Sequence, residues 1–182
     1  PVLSPAGVQE ILDFGLIGWA LSRYSGCWVG MKCVKDTVEA TATIDVDINR
    51  VKIQIPQDFA LPPDGLSIRQ PDTPHAQEAR LHRFKLNAVR AFARHNALDR
   101  IVIDSPAAKL GVISHGKSYL DVLQALDDLN LSEKAAAEMG LRIYKVGMVW
   151  PLEPKGAASF SEGLDKILVV EEKRSLIEFQ LK

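Results

Sequence analysis

Apolar positions change their period along this chain, and the changes mark out its elements. Over residues 5–25 they recur at helical spacing, with Val8, Ile11, Leu12, Gly15, Leu16, Trp19, Ala20 and Tyr24 on one broad face. Ser4-Pro5 supplies an N-cap followed by proline in the first turn, and Ser25-Gly26 a stop. Nearly every residue on that face is apolar or small, so a deeply buried helix is expected. Residues 27–34 then read as a strand, and 36–42 as a short helix or a loop. Two further strands are expected at 43–46 and 51–55. The second alternates cleanly, predicting one wet face, and Pro56 closes it.

Residues 57–74 hold Pro62, Pro63, Pro71 and Pro74 together with Asp64-Gly65, the composition of a long extended loop. A boundary is expected at or just after it. Residues 75–96 form a second helix, with Ala79, Leu81, Phe84, Leu86, Ala88, Val89, Phe92 and Ala93 as its apolar stripe. Its other face carries Arg80, His82, Arg83, Lys85, Arg90, Arg94 and His95 and reads as solvated. From residue 99 onward, short Val/Ile-rich runs alternate with helical patterns. Strands are expected at 100–104 (an edge), 109–114 (buried), 141–146 and 166–171. Helices are expected at 117–129, 132–139, 153–163 and 175–182. This β-α-β-α rhythm predicts an open, mostly parallel, three-layer α/β/α sheet, preceded by a partial α/β unit. The units divide as 1–58, 59–98 and 99–182.

Composition narrows the function classes. The 182 residues carry a formal net charge of -1, so no bulk basic field invites nucleic acid or an anionic membrane. No apolar run approaches the roughly 20 residues that cross a bilayer, and no signal peptide is visible. Cys27 and Cys33 are too far apart along a strand for a disulfide, so reduced thiols and a cytoplasmic location are expected. The chain opens at Pro1 and closes inside a helical pattern at Phe179-Gln180-Leu181, which reads as two cuts through a longer polypeptide.

Parallel sheets bind ligands outside the C-terminal ends of their strands. Here those ends are Ser114-His115-Gly116, Gly147-Met148 and Glu171-Glu172. At the first, Gly116 permits a tight exit, and the Lys117 and Ser118 amides at a helix N-terminus suit a phosphate or carboxylate. A plain strand-to-helix turn explains the same residues. Lys32, at a strand end, has the charge to pair with a substrate carboxylate, although such lysines are more often simply solvated. Glu171-Glu172 is either an acid–base pair or the start of a helix cap. Trp150-Pro151-Leu152 reads as a rigid apolar corner. Phosphate-loop, dinucleotide, zinc-protease and nucleophile-elbow motifs are missing. The four histidines give no metal-ligand pair. A catalytic set is therefore expected to be incomplete, and a metal site is not expected.

The three strand ends resemble one family. GVISHGKSYLDVLQAL, LRIYKVGMVWPLEP and GLDKILVVEEKRSLIEFQLK are similar to the transketolase C-terminal-like domain of the indolepyruvate ferredoxin oxidoreductases, within the thiamine-diphosphate-dependent 2-oxoacid:ferredoxin oxidoreductases. The pattern is carried by Gly116 and Tyr119, then Lys145, Gly147, Pro151 and Leu152, then Val169, Val170, Glu171 and Glu172. SPAGVQEILDFGLIGWALSRYSGCWVGMKCVKD resembles the end of the family's pyrimidine-binding domain. Where relatives carry R-P-T-T-R, this chain has Lys32-Cys33-Val34-Lys35-Asp36.

The resemblance implies a fragment. Residues 1–58 correspond to the end of the pyrimidine-binding domain, 59–98 to a proline-rich connector and helix, and 99–182 to the transketolase C-terminal-like domain. In the full enzyme it implies thiamine diphosphate, Mg²⁺ and 4Fe-4S clusters, with ferredoxin, CoA and the rest of the parent polypeptide as partners, in a homo-oligomer. That enzyme decarboxylates an aryl 2-oxoacid oxidatively. Lys32, in place of the first arginine, is implied to contact the substrate carboxylate. The piece alone is expected to be structural and inactive. The rival expectation is a stand-alone interaction or small-anion-binding domain built on Gly116, Lys117 and Ser118.

Overall fold

A computed structural model describes residues 1–182. Its elements in chain order are β1 (Val2–Leu3), α1 (Val8–Ser25), β2 (Gly30–Met31), α2 (Lys35–Val38), α3 (Pro74–Arg80), a π-helical turn (Leu81–Lys85), α4 (Leu86–His95), β3 (Arg100–Ile103) and β4 (Leu110–His115). Then follow α5 (Gly116–Asp128), α6 (Glu133–Glu138), β5 (Leu141–Val146), β6 (Met148–Trp150), α7 (Pro154–Ser161), β7 (Lys166–Val170) and α8 (Ile177–Leu181).

The apolar runs after residue 99 pair into one sheet of order β3-β5-β4-β7. β4 lies parallel to both β5 and β7, while the edge strand β3 is antiparallel to β5. Side chains alternate across the pleat and divide the core in two. Val112 and Ile143 face α5 and α6, with Tyr119, Val122 and Ala136 packed on them. Ile113, Tyr144 and Val146 face α7 and α8, against Phe160, Ala157 and Ile177. This is the expected three-layer α/β/α arrangement. Gly111 makes the second layer close: a Cβ there would press on Phe160 and Leu164. Ser132 and Glu153 cap α6 and α7 through the amides of Ala135 and Gly156.

A smaller sheet of order β2-β1-β6 occupies the other end. β6 follows β5 after the single residue Gly147, so one extended run serves both sheets. α1 covers this sheet with Phe14, Gly18 and Leu21, meeting Leu3, Val89, Phe92 and Met148. Gly18 allows that approach, since a Cβ would lie 3.3 Å from Leu3 and Val29.

The first half departs from expectation in three ways. Only Gly30–Met31 of the strand expected at 27–34 pairs, and 43–46 and 51–55 form no strand at all. Their β-branched residues have no neighbouring strand in this chain to pair with. α1 is not buried all round: Leu12, Leu16 and Trp19 are exposed, because the chain supplies a partner for one face only. The face of the connector helix expected to be solvated is partly engaged. Its π-turn brings Lys85 inward, where Nζ donates to Gly26 O at 3.0 Å. No helix is long and apolar enough to cross a membrane.

Candidate functional site

The end of β4 delivers His115 and then Gly116, whose φ of 53° turns the chain into α5. A Cβ at Gly116 would lie 2.8 Å from Ser4 Oγ, so any side chain there would be strained and would push Ser4 aside. His115 takes an extended backbone at the N-cap and offers no side-chain cap, leaving the first amides of α5 without a side-chain acceptor. Those amides face a cleft shared with Lys32, so the structure brings Lys32, Gly116, Lys117 and Ser118 to one place. Lys32 is held there by its own amide, which donates to Leu3 O at 2.7 Å.

The cleft is narrow. Its free volume is about 10 Å³, room for one water molecule and not for a phosphate. Lys117 turns to its own helix, with Nζ donating to Asp121 at 2.6 Å, a bond that raises its pKa. Ser118 is buried, and Glu172 also lines the cleft.

His115 is 3 % exposed, and sequence reasoning gave it no role. Its Nδ1 lies 2.9 Å from Ser4 Oγ, and its Nε2 faces Glu171 Oε1 at 3.6 Å. A proton on Nε2 lets Nδ1 accept from the Ser4 hydroxyl. Burial lowers the imidazole pKa to about 4; the Lys32 cation pushes the same way and Glu171 opposes it. The ring is therefore neutral at pH 7. Glu171 is committed to capping α8, accepting from the amides of Leu176, Ile177 and Glu178 at 2.9, 2.8 and 3.1 Å. The capping explanation of Glu171 thus holds over the acid–base one.

A second buried cluster joins α1 to β5. Lys145, its side chain 3 % exposed, donates to Glu10 and lies 4.8 Å above the Tyr119 ring. Glu10 also accepts from Ala6 N at 2.8 Å and lies 3.8 Å from Arg100. Burial lowers the Lys145 pKa, against the pull of Glu10. Nearby, Asp99 Oδ1 accepts from Gly147 N and Met148 N at 2.8 and 2.9 Å, and burial raises its pKa to about 6. The sequence signal for Lys145 is its place in the Lys145-x-Gly147 pattern of the resemblance, legible as a motif position but not as a partner of Glu10.

Each of these groups serves a cap, a turn or a cross-unit pair, and the one hydroxyl–imidazole contact, Ser4 to His115, is buried beside a cleft with room for a single water, so the arrangement positions elements and offers a substrate no nucleophile. No three His, Cys, Asp or Glu side chains converge to hold a metal ion. Neither Mg²⁺ nor an iron–sulfur cluster fits the residues of this chain, and a diphosphate has no room in the cleft.

With that geometry in place, comparison gives the class first. The chain superposes on a 2-oxoglutarate:ferredoxin oxidoreductase from Magnetococcus marinus, solved with 2-oxoglutarate, coenzyme A and succinyl-CoA bound. The TM-score is 0.55 at 14 % identity, covering 98 % of this chain and 36 % of that one. The chain thus shares the fold of an α/β portion of that protein.

Residues 100–182 match the family described as "Indolepyruvate oxidoreductase domain". The chain as a whole aligns with "Indolepyruvate oxidoreductase subunit IorA" of Methanothermobacter thermautotrophicus (27 % identity, 98 % of this chain) and of Pyrococcus abyssi (26 %, 100 %). The protein of that name from Thermococcus kodakarensis is 35 % identical over 75 residues, 41 % of this chain and 10 % of its own length. The chain is thus similar to indolepyruvate oxidoreductase subunits along nearly its whole length, and residues 100–182 match the domain described by that name. It spans about a quarter (27 %) of the length of the first two of these relatives.

Proposed function

We propose that this chain is the structural, cleft-forming part of an indolepyruvate-type 2-oxoacid:ferredoxin oxidoreductase, without activity on its own. The observation that carries the reading is the alignment of the chain, over 98–100 % of its length, with about a quarter of IorA subunits. The complete enzyme is a cytoplasmic homo-oligomer that decarboxylates an aryl 2-oxoacid oxidatively, with ferredoxin as electron acceptor and CoA as acyl acceptor. Thiamine diphosphate with Mg²⁺, held elsewhere in the parent, supplies the carbanion chemistry, and 4Fe-4S clusters there supply the electron path. Within this piece, residues 1–58 end the pyrimidine-binding domain, 59–98 connect, and 99–182 wall the cleft.

Lys32 offers its ammonium to the substrate carboxylate, supported by its place at the mouth of a polar cleft between the two sheets. A stand-alone anion-binding role for Gly116, Lys117 and Ser118 has less support, since the cleft holds only a water.

The test is 2-oxoacid-dependent reduction of ferredoxin or a viologen dye. The parent-length protein should turn over an aryl 2-oxoacid, and the 182-residue chain should not. Turnover by the chain alone, or none by the parent with any 2-oxoacid, sinks the reading. In the parent, Lys32→Ala should raise KM by about tenfold with kcat retained, the loss of one charge-assisted contact. An unchanged KM removes Lys32 from the substrate.

A further inference from the structure

His115 ends β4 with an imidazole that is almost wholly enclosed, its side chain 4 % exposed. One ring nitrogen is satisfied, since Nδ1 meets Ser4 Oγ at 2.9 Å. The other, Nε2, has no hydrogen-bond partner in this chain. Glu171 Oε1 at 3.6 Å is too distant for a direct bond, and it already accepts from the amides of Leu176 and Ile177. Buried polar atoms are rarely left unpaired, and a gap of that size between polar groups is a place where water bridges. The cleft beside His115 has the volume of one water, about 10 Å³.

The lining decides between a water and an ion. Lys32 brings an ammonium and His115 an Nε2–H, both of them donors. Glu172 in the wall and Glu171 across from Nε2 are carboxylates, which only accept. Lys117, the other cation of the cleft, is bonded to Asp121 at 2.6 Å. An anion would face two carboxylates, and a cation would face Lys32. Water accepts from the two donors and donates to the carboxylates, so it alone matches both signs.

Resting on the reading that Lys32 meets the substrate carboxylate, we propose that His115 is a positioning residue for Lys32, acting through a single water held between His115 Nε2–H and the Lys32 ammonium. The Lys32 backbone is fixed by its bond to Leu3 O at 2.7 Å, but a flexible four-carbon stem separates that anchor from the charge. The imidazole is the rigid end. Ser4 holds its Nδ1, and Ser4 N is itself bonded to Gly147 O at 2.8 Å, at the passage between the two sheets. A water bonded to that fixed ring limits where the ammonium points, as outer partners orient the groups that touch a ligand. The two residues are close enough that the Lys32 cation helps push the His115 pKa down.

The experiment is a kinetic cycle on the parent-length protein with the 2-oxoacid as varied substrate. His115→Asn keeps a polar atom near Nδ1 and loses the Nε2–H, whereas His115→Gln keeps a donor near Nε2. His115→Asn should raise KM about threefold with kcat retained, and His115→Gln should stay near the unsubstituted value. In the Lys32→Ala background His115→Asn should add nothing, because it acts through Lys32. Effects on KM that multiply in the double variant overturn the proposal. So does an unchanged KM in His115→Asn, or an equal loss in His115→Gln. If a variant unfolds, diffraction from the unsubstituted protein decides: one ordered water should lie within about 3.2 Å of both His115 Nε2 and Lys32 Nζ. An ion in its place, or no water between the two, overturns the proposal as well. A parent that turns over no 2-oxoacid sinks the functional reading, and diffraction still decides the water.

Discussion

Residues 100–182 and residues 1–55 hold similar runs of β-branched residues, but they fold to different degrees of closure. In the later region every strand of the sheet finds a neighbour and the central strands are covered on both faces, with Ile113, Ile143, Val146 and Phe160 at 0 % exposure, while the edge strand β7 leaves Leu168 open at 54 %. In the earlier region two residues of one expected strand pair and two other runs stay irregular, leaving Val46 and Ile48 exposed at 79 % and 91 %. Composition is not the difference; the presence of partners within the chain is. A β-branched run becomes a strand only where another backbone completes its hydrogen bonds. The earlier region is complete in pattern and incomplete in partners.

The contrast is sharpest where a residue of one region can be set against one of the other. Phe160→Ala removes a ring stacked on Tyr144 with centroids 5.1 Å apart, and it should destabilise by about 4 kcal/mol in denaturant unfolding. A loss under 1 kcal/mol would mean that the later region is as loose as the earlier one. Lys145→Met strands Glu10 at the junction of the two regions and should cost about 3 kcal/mol; adding Glu10→Gln should return part of it. Strict additivity of the two changes would deny that the pair couples the regions.

A smaller effect lies in pH. His115 in the folded chain, at about 4, is below the ordinary 6.5, so the unfolded chain binds that proton first. Its contribution is full above pH 6.5 and is lost as pH falls toward 4, with a slope of up to about 1.4 kcal/mol per unit. Asp99 works the other way, because a folded value of about 6 makes stability fall as pH rises from 4 to 6. The two offset each other, and His115→Asn should expose the downward Asp99 slope in unfolding curves from pH 4 to 7. An unaltered profile removes His115 from the balance. Smallest of all, Ile48→Ser in the earlier region should change stability by no more than about 0.5 kcal/mol.

Much of this was legible in the sequence, in proportion to how local the physics is. Strand 141–146 was read to the residue because a short run rich in apolar and β-branched residues is a signal carried by neighbours in the chain. The turn at Gly116 was equally local. Burial of α1 was misread because periodicity tells which residues share a face and not whether anything covers that face. β1 and β6, two and three residues long, have no period to detect. The contacts that define the site lie far apart in the chain, with Ser4 meeting His115 across 111 positions and Glu10 meeting Lys145 across 135. Local turn chemistry flagged Gly116 and the family resemblance flagged Lys145, and only the fold shows what they touch.

The passage from β5 to β6 through Gly147 has a mechanical consequence. One backbone leaves the large sheet and enters the small one within a single residue, clamped on both sides: Gly147 O accepts from Ser4 N at 2.8 Å while Asp99 holds the Gly147 and Met148 amides. The two sheets are thereby geared to each other by a short rigid axle. The proline-rich arm contributes no strand to either sheet, so residues inserted in its exposed stretch at Ala60-Leu61 leave the alignment of the sheets intact, while one residue inserted at Gly147 throws it out of register.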